Sequence, residues 1–224
     1  NHLNDLLFLK NIFNKKLYIF DFDGVLVDSV NVKTETFAEM YRTFGDDVVK
    51  KVVDHHLLNG GMNRYEKFRH YHSDILGITT SNNEIEELSI QFSKLVVRKV
   101  IEAEEIEGVS EILKHCAKEK IVCAINSATP LKELKYVIYQ RGWDLCFQHV
   151  FGSPLTKISN MINIIDAAGK NMEESIFFGD AVNDYSAAKE VGIDFIGINY
   201  SSVVKKNILC FKNFSDFLKL VSHI

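Results

Sequence analysis

The sequence predicts an α/β protein, a doubly wound parallel sheet with an all-helical domain inserted after its first strand. Three observations carry that expectation. An apolar, strand-forming run, Leu17–Phe20, stops abruptly at Asp21, Asp23 and Gly24. Residues 30–105 hold no convincing strand and repeat their apolar positions at helical spacing. From Gly108 onward short apolar runs alternate with helical ones, as strands do with the right-handed crossovers that cover both faces of a parallel sheet. Residues 1–29 and 106–224 are therefore expected to form the α/β core, and residues 30–105 a helical cap.

Taken in order, residues 1–16 are weakly amphipathic, and no role can be read from them. In the helical block the apolar face is expected to comprise Val30, Phe37, Met40, Tyr41 and Phe44, then Tyr65, Phe68, His72, Ile75 and Leu76. Ser81 and Glu84 have capping-box spacing, which opens a helix expected to run to about Ile106 with Ile85, Leu88, Phe92, Leu95, Val96 and Val100 on one face. The pattern then reads helix over Val109–Glu119, strand over 120–125, helix over 130–141 and a short strand over 149–152. It ends with helix over 157–168, strand over Ser175–Gly179, helix over 183–191 and strand over Asp194–Ile198.

A chain of 224 residues buries one substantial core, or a core with a smaller insertion. A hydrophobic fraction of 46% and a charged fraction of 25% are those of an ordinary globular chain. The net charge of -4 and pI near 6.1 leave no electrostatic footprint for nucleic acid or an anionic membrane. The apolar runs are of strand length, short of the roughly 20 residues that cross a bilayer. Cys116, Cys123, Cys146 and Cys210 have no metal-ligand spacing and read as free thiols, so a cytoplasmic protein without a signal peptide is expected. Nothing in the sequence sets the oligomeric state.

Chemistry is expected just past the strands, because ligands of open parallel sheets bind beyond the strands' carboxyl ends. Side chains alternate along a strand, so Asp21 and Asp23 start out on the same side. Carboxylates so close repel unless a cation or a shared proton lies between them, and a divalent metal is the expected answer. The site is not a calcium loop, because the fifth, sixth and twelfth positions counted from Asp21 are Val25, Leu26 and Val32. Past the later strands stand Asn126 and Ser127, then Lys157, then Asp180 and Asp184. Each has a plain alternative: Ser127 as a helix N-cap, Lys157 as a solvated helix residue, Asp180 as a turn residue.

Together these stretches resemble, in order and spacing, the four signatures of the haloacid dehalogenase superfamily, in its phosphoglycolate phosphatase and β-phosphoglucomutase-like branch. The stretches are 17–29 (LYIFDFDGVLVDS), 125–130 (INSATP), 152–157 (GSPLTK) and 178–184 (FGDAVND). The resemblance implies a Mg²⁺-dependent phosphomonoester hydrolase acting on a small phosphorylated metabolite, such as a sugar phosphate. It makes Asp21 the nucleophile that becomes an aspartyl-phosphate and Asp23 the acid and base. It assigns the metal to Asp21, the Asp23 carbonyl and Asp180, with Asp184 orienting that set, and the phosphoryl oxygens to Ser127 and Lys157.

Because Asp23 is placed to protonate an alkoxide, cleavage of an oxygen–phosphorus bond is expected over dehalogenation. Sugar-phosphate mutases of this superfamily often carry a histidine where this chain has Lys33, so hydrolysis is expected over the mutase alternative. A phospho-receiver signalling or binding module is the alternative from another class, and it would be shorter and lack the inserted helices. The helical block resembles the cap that selects substrate. In it Asn59, Gly60 and Gly61 read as a loop that lets backbone approach a ligand, with Arg64 and Lys67 as cations toward an anionic or polyhydroxyl part of the substrate or, alternatively, as a solvated helix face. His55, His56, His70 and His72 read as surface or core histidines, without the pattern of a second metal site.

Overall fold

The computed structural model describes residues 11–12, 14–200 and 208–221, so the expectation for residues 1–16 falls largely outside the described residues. A parallel sheet of six strands runs in the order β3-β2-β1-β4-β5-β6. The strands are β1 Leu17–Phe20, β2 Val122–Pro130, β3 His149–Ser153, β4 Ser175–Gly179, β5 Asp194–Ile198 and β6 Cys210–Phe211. Strand β1 is central and fully buried, which is why its sequence is apolar throughout rather than alternating. Its period-two geometry divides it between two cores: Tyr18 and Phe20 face one cluster with Phe178, Phe214 and Phe217, while Leu17 and Ile19 face the other with Met161, Ile164 and Phe177.

Between β1 and β2 lie helices α1 Val30–Tyr41, α2 Asp46–Leu58, α3 Arg64–His70 and α4 Asn82–Glu102, then α5 Val109–Glu119. A 3₁₀ turn, Arg42–Phe44, follows α1, and α3 continues into a π turn, Tyr71–Ile75. The later helices are α6 Leu131–Gln140, α7 Lys157–Ala167, α8 Val182–Val191 and α9 Phe214–Val221. Helices α1 to α4 pack on one another through a knot of rings in which Phe37 meets Phe68, Tyr71 and Phe92 at centroid distances of 5.5, 5.6 and 4.4 Å. The chain leaves and re-enters the sheet region side by side: the Asp28 amide donates to the Glu104 carbonyl at 2.9 Å, and the Ile106 amide to the Leu26 carbonyl at 3.1 Å.

The capping box at Ser81 and Glu84 is formed as the spacing predicts. The helix it opens stops at Glu102, four residues before the expected end, because Arg141 donates to the carbonyls of Val100, Ile101 and Ala103 at 3.1, 2.8 and 2.7 Å and the chain turns extended to meet Leu26 and Asp28. Strand β2 runs on to Pro130, past the expected end at 125, with an irregular register against β3 between Asn126 and Pro130. Phe44, expected on a buried face, is 46% exposed, because its 3₁₀ turn rotates it off the stripe of α1. The pair β6 and α9 was not expected from the sequence. Asn213 caps that helix by accepting from the Asp216 amide at 2.9 Å, and Phe214 and Phe217 enter the core.

Candidate active site

The register that places Phe20 opposite Ile125 and Phe178 brings Asp21, Asn126 and the end of β4 to one edge. The Asp21 amide extends the ladder by donating to the Phe178 carbonyl at 2.8 Å. Lys157, first residue of α7, reaches Asp21 at 2.9 Å and also bonds the Asp184 carboxylate. Its backbone is fixed by Asn126, whose side-chain amide donates to the Lys157 carbonyl at 2.8 Å. The other oxygen of Asp184 accepts from the Asp180 and Ala181 amides at 3.2 and 3.1 Å, so that carboxylate is fully engaged by the fold. Gly24 has φ +80°, and a Cβ there would lie 2.3 Å from an Asp180 carboxylate oxygen; glycine is what lets that carboxylate lie beside the loop after β1.

Asp21, Asp180 and Asp184 each place one oxygen within 4.8 Å of the others. Burial first, then repulsion from Asp184 and Asp23, pushes the Asp21 carboxyl up to about 7 against the pull of Lys157. The same burial and crowding by Asp184 and Asp21 raise Asp180 well above the ordinary value. Lys157 balances part of this charge. Burial alone would lower its ammonium, but Asp184 and Asp21 hold it above the ordinary lysine value. One lysine against three crowded carboxylates is a donor set of hard oxygens that suits a small divalent cation such as Mg²⁺.

Asp23 sits apart from that cluster in its own ring of donors. Ser29 Oγ donates to it at 2.6 Å, Thr129 Oγ1 at 3.0 Å, and Lys33 forms a close ion pair with it while donating to Thr129 Oγ1 at 2.8 Å. Burial would raise the Asp23 carboxyl, but the Lys33 ammonium, helped by Ser29 and Thr129, carries it below its usual range. Sequence reading did not select Lys33 or Thr129 as site residues; they lie 96 positions apart, and no local spacing joins them. Ser127 is buried at the end of β2, where its Oγ accepts from the Thr129 amide at 3.1 Å.

A cavity of about 620 Å³ opens between this edge and helices α1 to α4, with Asp23, Thr129 and Asp180 on the edge side and Lys33 of α1, His56, Arg64 and Lys67 on the helical side. Arg64 and Lys67 are not a solvated face; they are 5% and 2% exposed. Arg64 is held by two hydrogen bonds to Glu133 of α6, at 2.8 and 2.6 Å, and by Ser93 Oγ of α4 at 2.7 Å. Lys67 meets His56 Nδ1 at 2.8 Å. Gly60 and Gly61 approach protein rather than open space: a Cβ on Gly61 would lie 2.8 Å from the Asn183 Cβ and 3.7 Å from Lys157 Nζ. His56, one of the histidines expected at the surface or in the core, is buried, and its place at the cavity depends on packing among three helices that a linear pattern does not encode. Among the described residues no helix is long and apolar enough to cross a membrane.

Residues 18–198 match the family model described as haloacid dehalogenase-like hydrolase. A phosphoglycolate phosphatase from Psychrobacter arcticus is 24% identical over 240 residues, covering 94% of this chain and 96% of the relative. Among solved structures, a hydrolase from Pseudomonas syringae superposes with a TM-score of 0.77 at 16% identity, covering 94% and 99% of the two chains. CbbY from Rhodobacter sphaeroides, in complex with xylulose-(1,5)bisphosphate, superposes with a TM-score of 0.72 at 13% identity, covering 90% and 96%.

Proposed function

Because the chain belongs to the haloacid dehalogenase-like hydrolases and is a phosphatase of that family, we propose that it hydrolyses a small phosphorylated metabolite through an aspartyl-phosphate formed on Asp21. The observation that carries this reading is the Lys157 ammonium set between Asp21 and Asp184 beside the Asp180 carboxylate. A carboxylate oxygen of Asp21 attacks phosphorus, and the oxygen–phosphorus bond to the leaving group breaks. Asp23 gives the departing alkoxide its proton and later takes one from the water that attacks the aspartyl-phosphate. Lys33 pairs with the same carboxylate and keeps it ionised in the free protein, the form that takes the water's proton, so the acid step needs Asp23 to be protonated first. Lys157 and the Ser127 hydroxyl bind the phosphoryl oxygens.

Asp21, the Asp23 carbonyl and Asp180 would hold Mg²⁺, with Asp184 orienting the set; when bound, the ion neutralises charge developing on the transferred group. Residues 30–105 act as the cap over the site, excluding water during the first transfer. Relatives named for phosphoglycolate and bound to xylulose bisphosphate support a small phosphorylated substrate. The reading is tested by Mg²⁺-dependent hydrolysis of p-nitrophenyl phosphate and a panel of phosphorylated sugars and acids. Asp21→Asn is expected to leave below about 1% of the parental rate, since the amide keeps the shape and loses the nucleophile. A mutant retaining more than a few per cent of that rate, roughly, would overturn the assignment.

A further inference from the structure

Three cationic side chains line the cavity, and they are neutralised differently. Lys33 is paired with Asp23, and Arg64 with Glu133. Lys67 forms no ion pair among the described residues, although it is the most buried of the three; its one side-chain hydrogen bond is to His56. Burial first, then the Lys67 charge, drives the His56 ring down to about 2, so it is a neutral acceptor and brings no negative charge. An ammonium enclosed without a counterion is costly. Burial, with Lys33 and Lys157 repelling and Asp23 and Asp180 attracting from the sheet edge, pushes Lys67 down to about 7.

The cavity's size and walls add a second constraint. Its 620 Å³ falls within the range of about 300–1,000 Å³ that encloses drug-sized ligands, far more than a two-carbon phosphate fills. Phe37, Leu57, Leu58, Met62, Phe92 and Val182 give it apolar walls against which a carbon skeleton can pack.

We propose that Lys67, oriented by His56, is the subsite for a second anionic group of the substrate, a carboxylate or a second phosphate, carried on a skeleton longer than two carbons. This rests on the phosphatase reading and narrows it. The transferred phosphoryl group has Lys157 beneath it; the second anion is the counterion that Lys67 lacks in the folded protein.

Matched pairs test the idea and separate the two anions: 6-phosphogluconate against glucose 6-phosphate for the carboxylate, fructose 1,6-bisphosphate against fructose 1-phosphate for the phosphate. At least one anionic member should exceed both its twin and 2-phosphoglycolate in kcat/KM by about tenfold or more, the worth of one charge-assisted hydrogen bond. Lys67→Gln should bring that ratio to near one, and Lys67→Arg should keep most of it. Equal kcat/KM for both twins in the parent protein overturns the proposal, as does a ratio unchanged by Lys67→Gln. A loss in Lys67→Gln that is equal for both twins places Lys67 on the transferred phosphoryl group and also overturns it. If 2-phosphoglycolate is the best substrate, the size argument fails. Hydrolysis of no phosphomonoester, p-nitrophenyl phosphate included, removes the reading beneath and this one with it, whereas equal twins with hydrolysis intact remove this one alone.

Discussion

At the sheet edge, charges of opposite sign interlock: Lys157 with Asp21 and Asp184, and Asp23 with Lys33, which reaches it from α1. Across the same cavity, on the helical block, Lys67 rests against a neutral imidazole. The edge is arranged for a group that every phosphomonoester carries, so its residues can be fixed in advance by backbone register and mutual attraction. The helical side holds a cation with no ion-pair partner among the described residues, and it bears a desolvation cost in the free protein. Between the two stand Lys33 and Arg64, helical-block cations already committed to Asp23 and to Glu133 of the core.

Four tests sharpen that contrast, in falling order of expected effect. Asp23→Asn should lower turnover of alkyl phosphates by about 10²–10⁴-fold, and less for p-nitrophenyl phosphate, whose leaving group needs little protonation; equal losses on both would remove the acid role. Asp180→Ala should raise the Mg²⁺ concentration for half-maximal activity by at least about 100-fold, and an unshifted titration would mean the ligand is misassigned. Arg64→Ala leaves Glu133 buried without a counterion and should cost about 3 kcal/mol in denaturant unfolding, most of it recovered when Glu133→Leu is added; a cycle with no coupling would show that the pair ties nothing together.

The smallest effect is one of pH. The Lys67 ammonium is held down to about 7, below its value in the unfolded chain. Between pH 7 and about 10.5 the unfolded chain therefore binds the extra proton, and stability from this group rises with pH. The penalty is full below pH 7, so Lys67→Met should raise the ligand-free Tm by several degrees at pH 6, at about 2–4 °C per kcal/mol, and by less at pH 9. A gain that does not depend on pH would mean that Lys67 carries no buried charge.

The edge was legible because its determinants are local. A buried strand that stops at Asp21 and Asp23 announces both a sheet and the side on which charge collects, and Lys157 and Asp180 follow strands whose apolar runs are as plain. Ser81 and Glu84 wrote a helix start for the same reason. Where the determinant was distant, reading failed. The end of α4 is set by Arg141, some 40 residues on; Glu133 lies 69 positions from Arg64, and Thr129 lies 96 from Lys33, whose nearer partner Asp23 is 10 away. Arg64 and Lys67 read equally as solvent-facing or substrate-facing from helical spacing, because period alone does not reveal that a cavity and a core helix lie on the far side. Strand β6 has two residues and helix α9 eight, too short for periodicity to separate them from a loop.

The paired crossings at Leu26–Ile106 and Asp28–Glu104 bear on how a chain of this plan can vary. They hold the two ends of the helical block side by side, so the sheet meets that block as it would meet a hairpin turn. Loop-closure entropy grows only with the logarithm of loop length, and doubling the insertion would cost roughly 0.6 kcal/mol. The doorway therefore makes the helical block nearly interchangeable from the core's side: what hangs there can change in size and lining, and with it the molecules admitted, while the strand ends keep their register.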